Sequence, residues 1–462
     1  MEIQDSALYR VISAVIADGA KPVHFAWAAT VHANGKNIKA MKFIQMDINR
    51  DYETNYSDDI QVKLAIPGGD FWADIYPYQD ALEITVFKYP LQESGDAGDS
   101  SQPIQTERYK AVLDIQGSPL LENTGANEDS RDTLNLKDIQ YVTFQLIDRS
   151  LYQMRMIQVG NTFRNTTVEQ ALRAIMTSES QKVTVDQQRV NQGVDMIPAS
   201  NQTVRDHIVI PQGTALTDVP AWIHQKCGGV YSAGMGYYLQ NNHWYIYPCY
   251  DPTRANKTAP ALTIVNMPKN RFNGIERTYS VSGASAVILA TGDTTFKERA
   301  NSMQLNQGNG VRFADASKLI DQFATITGGI PVASRGKINT EVVTTVRPDG
   351  LNNAKVSARP INANPYLEYS ELAARQGSQF SLVWENADPS LVTPGMLAVV
   401  LYLDGDQLAQ TYGVVLKSHT YVRMQGSGMT SARHVSDTAI SVFVQRPLGN
   451  GASTGQGVIT PS

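Results

Sequence analysis

Regular alternation of apolar and polar residues is the feature that most constrains how this chain folds. In the runs DIQVKLAIP (59–67), ALEITVFKYP (81–90) and YVTFQLI (141–147), apolar side chains recur at every second position. Successive residues of a strand face opposite sides of a sheet, so the pattern predicts antiparallel strands with one buried and one solvated face. TEVVTTV (340–346) and AISVFVQRP (439–447) alternate in the same way. The chain is therefore predicted to be α+β and mainly β.

Helical periodicity opens the chain, in the segment Ile3–Ala17. Its apolar stripe includes Leu8, Ile12 and Val15, spaced three and four positions apart, and Gly19 follows as a stop. Such a stripe packs either on the core of its own chain or on a neighbouring subunit. We predict Leu8, Ile12 and Val15 as candidate subunit contacts.

A second helix is predicted in NTTVEQALRAIM, which combines a helix-start signal with an apolar face. Thr166 is the predicted N-cap, and Glu169 three residues later completes a capping box. The predicted buried face consists of Val168, Leu172, Ile175 and Met176. Further helices are predicted at Ala316–Ile326 and from Pro365, after an Asn364 cap.

The segment 209–249 holds a short helix, a double glycine and an aromatic hairpin. Thr217 is the predicted N-cap of this helix, with Pro220 in the first turn, where its missing N–H is harmless. Gly228–Gly229 ends the helix. GYYLQNNHWYIYP then predicts a hairpin that turns at Asn241–Asn242, because asparagine tolerates the positive φ of a tight turn.

The same segment contains four residues that could bind a metal ion, namely His224, Cys227, His243 and Cys249. A zinc site uses closely spaced pairs that bring four ligands into a tetrahedron, and only His224 and Cys227 are paired at helical spacing. A buried cysteine beside a glycine turn usually packs as a small apolar residue. We therefore predict a packed adaptor with no metal and no cofactor.

No catalytic motif lies between the predicted strands and helices that its chemistry would require. Gly451-Ala-Ser453-Thr-Gly455 matches the spacing of a nucleophile elbow but has no strand before it and no helix after it. No phosphate-binding glycine motif follows a predicted strand. We predict no catalytic residue and no enzyme activity.

The aromatic hairpin raises a choice between packing and binding. Tyr238, Trp244 and Tyr245 suit a core or a subunit interface, where rigid rings bury a large area at low entropic cost. A carbohydrate platform is the alternative. Without basic companions, base stacking is not favoured. We predict Tyr238, Trp244 and Tyr245 as partner contacts, together with the N-terminal stripe.

Charge and cysteine content indicate which partners and which cellular compartment suit the protein. The net charge of −5 argues against a protein that binds nucleic acid by neutralising phosphates. Two cysteines in 462 residues indicate a reducing compartment. The acidic start has no basic region typical of a signal peptide, and LAVVLYL is far too short to span a bilayer. A soluble protein made in the cytoplasm is expected.

Four domains are predicted from these changes of pattern. They are 1–159, the N-terminal helix plus a first β domain; 160–265, a small inserted α/β domain; 266–446, a second β domain; and 447–462, a low-complexity tail. ITVFKYP and ISVFVQRP echo each other in the two β domains and hint at duplication. Two acidic loops, Glu93–Pro103 and Glu122–Asp132, interrupt the first β domain and have no assigned role.

In this order of domains the chain resembles the baseplate hub protein of contractile-tailed bacteriophages, whose fold also begins the type VI secretion spike. Three stretches carry the resemblance. The first is a strand that leads into a helix, the second is a helix followed by GGVY and a hairpin, and the third is a PGM turn that leads into paired strands. They are Thr143–Met176, Val209–Pro248 and Ser381–Met424. The resemblance implies two tail-tube-like β-barrel or sandwich modules around the small insertion.

The resemblance also implies a structural role in the virion. Family members form a homotrimer whose six β modules match the six-fold tail tube above, while the three-fold underside holds a central spike trimer. Baseplate wedge proteins and a tape measure protein are further expected partners, and DNA passes through the lumen without specific binding. Two alternatives stay open from the sequence, a receptor- or glycan-binding tail protein and a tail-associated peptidoglycan hydrolase.

Overall fold

The computed structural model has a mainly β, α+β fold, which confirms the predicted fold class. None of the helices among its described residues is long and apolar enough to cross a membrane. The structure describes residues 12–13, 15, 24–91, 102–114, 139–185, 188–189, 193–269, 277–295, 312–315, 340–344, 356–357, 364–375, 377–404, 407–425 and 433–445.

The first β unit, barrel one, takes seven strands from the N-terminal third of the chain. They are β1 (His24–Ala33), β2 (Lys36–Lys39), β3 (Lys42–Asp51), β4 (Asp59–Pro67), β5 (Leu82–Leu91), β6 (Gln105–Leu113) and β7 (Ile139–Asp148). A helical segment, Gly68–Ala81, joins β4 to β5. The alternation predicted in β4, β5 and β7 is confirmed, because Ile60, Val62, Leu64, Ile84, Val142 and Phe144 all lie in one core.

The inserted module packs three helices on small sheets. Its strands are β8 (Gln158–Thr166), β9 (Thr184–Val185), β10 (Gln188–Arg189), β11 (Gly193–Met196), β12 (Arg205–Ala215), β13 (Met235–Gln240) and β14 (His243–Pro248). Its helices are α1 (Arg149–Met154), α2 (Val168–Ser180) and α3 (Val219–Lys226). The predicted face of α2 is buried in the core of this module, together with Ile223 from α3.

The cap of α2 lies one residue later than predicted. Thr167 is the N-cap, its hydroxyl accepts the Gln170 N–H at 3.3 Å, and the Gln170 side chain accepts the Thr167 N–H at 3.3 Å. Thr166 is the last residue of β8. Both threonines fit the capping-box pattern, so periodicity alone did not separate them. Glu169 instead accepts the Ala199 N–H at 2.8 Å and secures a neighbouring loop.

We expect Thr167→Ala to lower the free energy of unfolding by about 1 kcal/mol, because it removes the cap of α2. Thr166→Ala is the matched control and should cost less, since Thr166 is not the N-cap and its hydroxyl makes only an exposed hydrogen bond, to Gln170 Oε1 at 3.0 Å. Urea unfolding of both variants measures the difference. An equal or larger loss in the Thr166 variant would contradict this cap assignment.

The start of α3 also differs from the prediction. Thr217 lies buried in a 3-10 turn, Leu216–Asp218, and Asp218 is the N-cap without a side-chain hydrogen bond. The turn continues directly into α3, so no side-chain cap is required there. Pro220 lies in the first turn as predicted. The predicted hairpin turn at Asn241–Asn242 is confirmed, with φ values of 51° and 58°.

The second β unit, barrel two, comes from the C-terminal part of the chain. Its elements are β15 (Leu262–Asn266), β16 (Tyr279–Ser282), β17 (Ser285–Thr295), α4 (Pro365–Arg375), β21 (Gly377–Trp384), β22 (Leu397–Asp404), β23 (Gln407–Gln425) and β24 (Arg433–Gln445). Three short strands of the same part of the chain, β18 (Arg312–Asp315), β19 (Thr340–Thr344) and β20 (Val356–Ser357), form a separate sheet. Asn364 caps α4 as predicted, because its side chain accepts the Tyr366 N–H at 3.0 Å.

One long hairpin, β23–β24, closes both barrels. Barrel one closes through the strand order β23-β3-β4-β7-β6-β5-β1-β24, and barrel two through β15-β22-β23-β24-β21-β17. Along one edge of β23, residues 407–414 pair with β22 and residues 417–423 pair with β3. A bulge between Val415 and Lys417 marks the change of barrel. Bulges bend a strand and increase its twist, which redirects the hairpin from one barrel to the next.

Barrel two is not wholly antiparallel, in contrast to the prediction. β15 runs parallel to both β17 and β22. Parallel strands are usually covered on both faces, and here the outer face is covered by the helical residues Ile12 and Val15. These two pack with Val265, Met267, Leu289, Val399 and Leu401. The near-continuous apolar runs of β15 and β22 reflect this double burial.

Several sequence predictions fall outside the described residues. These are the helix Ala316–Ile326, the acidic loop Glu122–Asp132, all but two residues of Glu93–Pro103, Leu8, and the Gly451–Gly455 motif.

Candidate functional site

The aromatic hairpin β13–β14 lies between two hydrophobic cores. Tyr238 and Tyr247 face the core of barrel two, while Trp244 and Ile246 face the core of the inserted module. Because side chains alternate along a strand, one hairpin fills both cores. Tyr238 and Trp244 are fully buried. The hairpin is therefore an interface within the chain, between two of its own units.

The five predicted contact residues that the structure describes fall in different places. Tyr238 and Trp244 lie inside the chain, so their side chains cannot reach a partner while this fold is intact. Ile12 and Val15 pack on the outer face of barrel two. Tyr245 is half-buried at the margin of the barrel-two core. The structure does not gather these five residues into one exposed surface, because four of them are buried within the chain.

A buried ion pair joins the three units at the base of the hairpin. Arg50, at the end of β3, donates from Nε to Asp58 Oδ2 at 3.0 Å and from Nη1 to the Pro389 carbonyl at 2.9 Å. The hydroxyl of Tyr238 donates to Asp58 Oδ1 at 2.9 Å. We call Arg50, Asp58, Tyr238 and Pro389 the junction cluster. It ties barrel one to the inserted module and to the loop that precedes β22.

Further hydrogen bonds run through the same junction. The Tyr247 hydroxyl donates to the Tyr52 carbonyl at 2.8 Å. The Gln240 side-chain amide donates to the Val392 carbonyl at 3.0 Å. The rings of Tyr52 and Tyr238 meet edge to face at 4.9 Å between centroids. Buried polar groups are costly unless they are paired, so these bonds favour the relative placement of the units seen here.

Electrostatics in the junction cluster favour the charged pair. Burial is the largest single influence and lowers the pKa of Arg50, but the charge and hydrogen bond of Asp58, together with Tyr52 and Tyr238, outweigh it, and the pKa is raised. Burial raises the pKa of Tyr238, and the neighbouring Asp58 carboxylate raises it further. Arg50 therefore stays protonated and the Tyr238 hydroxyl stays neutral, as its role as a donor to Asp58 requires.

The four candidate metal ligands do not converge. Cys249 lies in the core of barrel two, whereas Cys227 packs beside the core of the inserted module. His243 Nε2 lies 3.1 Å from Asp195 Oδ2, and His224 Nδ1 accepts the Val230 N–H at 3.1 Å. Within the part of the chain that the structure describes, no three His, Cys, Asp or Glu side chains form a metal-binding group.

Burial also sets the chemistry of His224 and Cys227. It lowers the pKa of His224 to about 4, so the imidazole is neutral and can accept from the Val230 amide. Burial raises the pKa of the Cys227 thiol. A thiol with a raised pKa is a poor nucleophile, because the thiolate is the reactive form.

His224 makes stability depend on pH. Its pKa is about 4 in the folded chain, against the ordinary histidine value of 6.5 that the unfolded chain should have, so the unfolded state takes up the proton first as pH falls. Stability should therefore drop between pH 6.5 and about pH 4, by up to about 3 kcal/mol from this residue. Denaturant unfolding of the wild type and of His224→Asn at pH 7 and pH 4.5 isolates the effect. A pH dependence of equal slope in both proteins would contradict it.

Comparisons with known proteins concern the fold. No family model and no curated protein matches the chain. The chain is similar to the structure of a tail protein from Neisseria meningitidis MC58, at 11% identity, with 90% of this chain and 96% of that chain covered and a TM-score of 0.43. It is also similar to the 43 kDa tail protein of prophage MuSo2 from Shewanella oneidensis, at 10% identity, with 90% and 98% covered and a TM-score of 0.42.

A third similar structure is an E. coli component of the type VI secretion system, described as structurally similar to T4 bacteriophage tail proteins. It is 8% identical, with 88% of this chain and 76% of that chain covered and a TM-score of 0.39. All three similarities extend over most of this chain at low sequence identity.

Proposed function

We propose that this chain is a structural protein of a phage-type tail, acting as a homotrimeric hub between a six-fold tube and a three-fold spike. The observation that carries the proposal is the β23–β24 hairpin, which closes two barrels in tandem within one chain. Three copies then present six barrels, so a trimer meets six-fold symmetry on one side and keeps three-fold symmetry on the other. The division at residues 159, 265 and 446 belongs to this proposal.

The junction cluster supports a role that depends on shape. A hub must hold its two barrels at a fixed angle, or the six barrels of a trimer would not form a regular ring. Arg50, Asp58 and Tyr238 fix that angle through directional, buried bonds, and the bulged hairpin fixes it through the backbone. These groups are bonded to one another, which suits a scaffold better than a reactive site. We propose no enzyme activity.

Partners and location follow from the same proposal. The tail tube protein would stack on the ring, a central spike trimer would sit below it, and wedge and tape measure proteins would contact its periphery. The protein would be made in the host cytoplasm and end in the baseplate. Three copies carry a charge of −15 (3 × −5), which would keep DNA from adhering if the charge lines the bore. The burial of Tyr238 and Trp244 counts against the glycan-binding alternative, while Tyr245 stays half-buried.

Native mass spectrometry and electron microscopy test the trimer. We expect a species of about 152 kDa (3 × 50.7 kDa) and class averages with six barrel-sized lobes around a channel. A stable dimer, or a trimer with only three lobes around the channel, would overturn the hub proposal.

Tyr245→Ala keeps the fold and tests the remaining hairpin residue as a subunit contact, through a fall in the trimer fraction.

A further inference from the structure

Helix α4 belongs to the connection between two strands of barrel two, yet it lies against the inserted module. Residues 296–376 connect β17 to β21, and α4 is the last element of this connection. Asn364, Tyr366 and Ser370 all contact the end of α3 or the turn that follows it. The connection is therefore attached to a different unit of the chain from the one whose strands it joins.

The side chain of Asn364 bonds two helices at once. Its Oδ1 accepts the N–H of Tyr366 in the first turn of α4 at 3.0 Å. Its Nδ2 donates to the carbonyl of His224 and, at 3.3 Å, to the carbonyl of Gln225, both in the last turn of α3. Only this orientation of the amide fits, because an N–H needs an acceptor and a carbonyl needs a donor. One residue thus caps the start of α4 and the end of α3.

These two helix ends have opposite requirements. The first four N–H groups and the last four carbonyls of a helix have no partner within the helix. The end of α3 also carries the partial negative charge of its helix dipole, and the start of α4 carries the partial positive charge. A neutral carboxamide serves both ends, since it offers an acceptor to one and a donor to the other. An aspartate of the same size could serve only the start of α4.

The double glycine after α3 makes room for α4. Gly229 has a φ of +86°, and a Cβ at this position would lie 2.2 Å from the Cβ of Tyr366. Asn201 donates from Nδ2 to the Gly229 carbonyl at 2.8 Å, which holds the turn in place. Further along the chain, the hydroxyl of Ser370 accepts the Gly234 N–H at 3.1 Å. Glycine is therefore needed here for the close approach of α4 as well as for the backbone angle.

We propose that Asn364 anchors the connection between β17 and β21 on the inserted module, and that loss of its amide releases α4 as a unit. A helix of 11 residues is marginal in water on its own, so α4 depends on docking for its stability. The larger units stay joined after release, because the hairpin β13–β14 still fills the core of barrel two and the core of the inserted module. α4 is a local element that detaches while both barrels remain intact.

Two substitutions of Asn364 distinguish an anchor from a helix cap alone. Asn364→Asp keeps the acceptor for Tyr366 and is as good an N-cap as asparagine, but it sets a carboxylate against the carbonyls of α3. A cap alone would leave α4 protected in this variant. We expect amide hydrogen exchange of the full-length protein at neutral pH to show the opposite. The protection of residues 367–375 should fall at least about tenfold in Asn364→Asp, and by no less than in Asn364→Ala.

The controls make this result specific to α4. Asn165→Asp makes the same change of charge at an exposed position of β8 and should leave residues 367–375 protected. The amides of α2 and β21 should keep their wild-type protection in every variant. Wild-type protection of α4 in Asn364→Asp would show that Asn364 is only a cap and would overturn the anchor. A loss spread equally over α2, α4 and β21 would overturn the release of α4 as a unit.

A second measurement needs no substitution and covers the case in which the Asn364 variants do not fold. In the wild type the Gly234 amide is bonded to Ser370 of α4, although Gly234 itself belongs to the inserted module. If α4 detaches as a unit, this amide and those of residues 367–375 should have the same protection factor, below that of β21. Protection factors for Gly234 and α4 that differ by more than about tenfold, or an α4 as protected as β21, would contradict the proposal.

Discussion

Asp58→Ala should lower the free energy of unfolding by about 3–5 kcal/mol, because it leaves the guanidinium of Arg50 buried without its carboxylate. The side chain of Arg50 is only 10% exposed, so water compensates poorly for the lost partner. Tyr238 loses its acceptor in the same variant. Urea or guanidinium unfolding, followed by tryptophan fluorescence, measures the loss.

Two further variants make the Asp58 result specific. Asp59→Ala removes the neighbouring carboxylate, which is on the surface and bonded to Gln145, and should change stability by no more than about 0.5 kcal/mol. The double replacement Arg50→Met with Asp58→Leu should recover most of the loss, because removing both charges leaves no uncompensated ion. A double variant as unstable as Asp58→Ala would show that packing at these positions, and not the charge, decides stability.

Trp244→Ala should cost about 3–5 kcal/mol, since it empties a large volume in the core of the inserted module. The side chain is fully buried, and its indole nitrogen makes no hydrogen bond within the described part of the chain. The expected loss is therefore one of packing. Chemical denaturation measures it.

Tyr245→Ala is the matched control for Trp244→Ala, because it truncates the adjacent aromatic residue of the same strand. Tyr245 is half-buried, so its loss should cost only about 1 kcal/mol. If instead Trp244→Ala left stability unchanged and impaired only binding to a partner, the internal position of this side chain would be wrong.

Local patterns made much of the fold predictable. Period-two runs identified β4, β5 and β7 because one face of each strand meets a core and the other meets water. The hairpin at Asn241–Asn242 followed from residues that accept a positive φ. The cap of α2 was missed by one residue, because Thr166 and Thr167 carry equivalent signals and only the end of β8 decides between them.

The long-range features were not predictable from periodicity. Arg50 and Asp58 are polar residues at the end of one strand and just before the start of another, and nothing in their neighbourhood indicates that Pro389 lies against them. The aromatic residues of the hairpin correctly indicated that both of its faces are buried. Alternation does not show whether the second face packs on another core of the same chain or on another subunit. The parallel placement of β15 beside β22 likewise depends on a strand more than a hundred residues away.

The bulged β23–β24 hairpin has a consequence for how chains of this design can vary in length. One extra residue between 417 and 425 would move every later side chain of β23 to the opposite face of the sheet in barrel one. The part of β23 that lies in barrel two would keep its orientation. A compensating insertion in β24 would be needed at the same level. Evolutionary drift in length is therefore expected to avoid this hairpin, because both barrels take their register from it, and to accumulate in the surface connections.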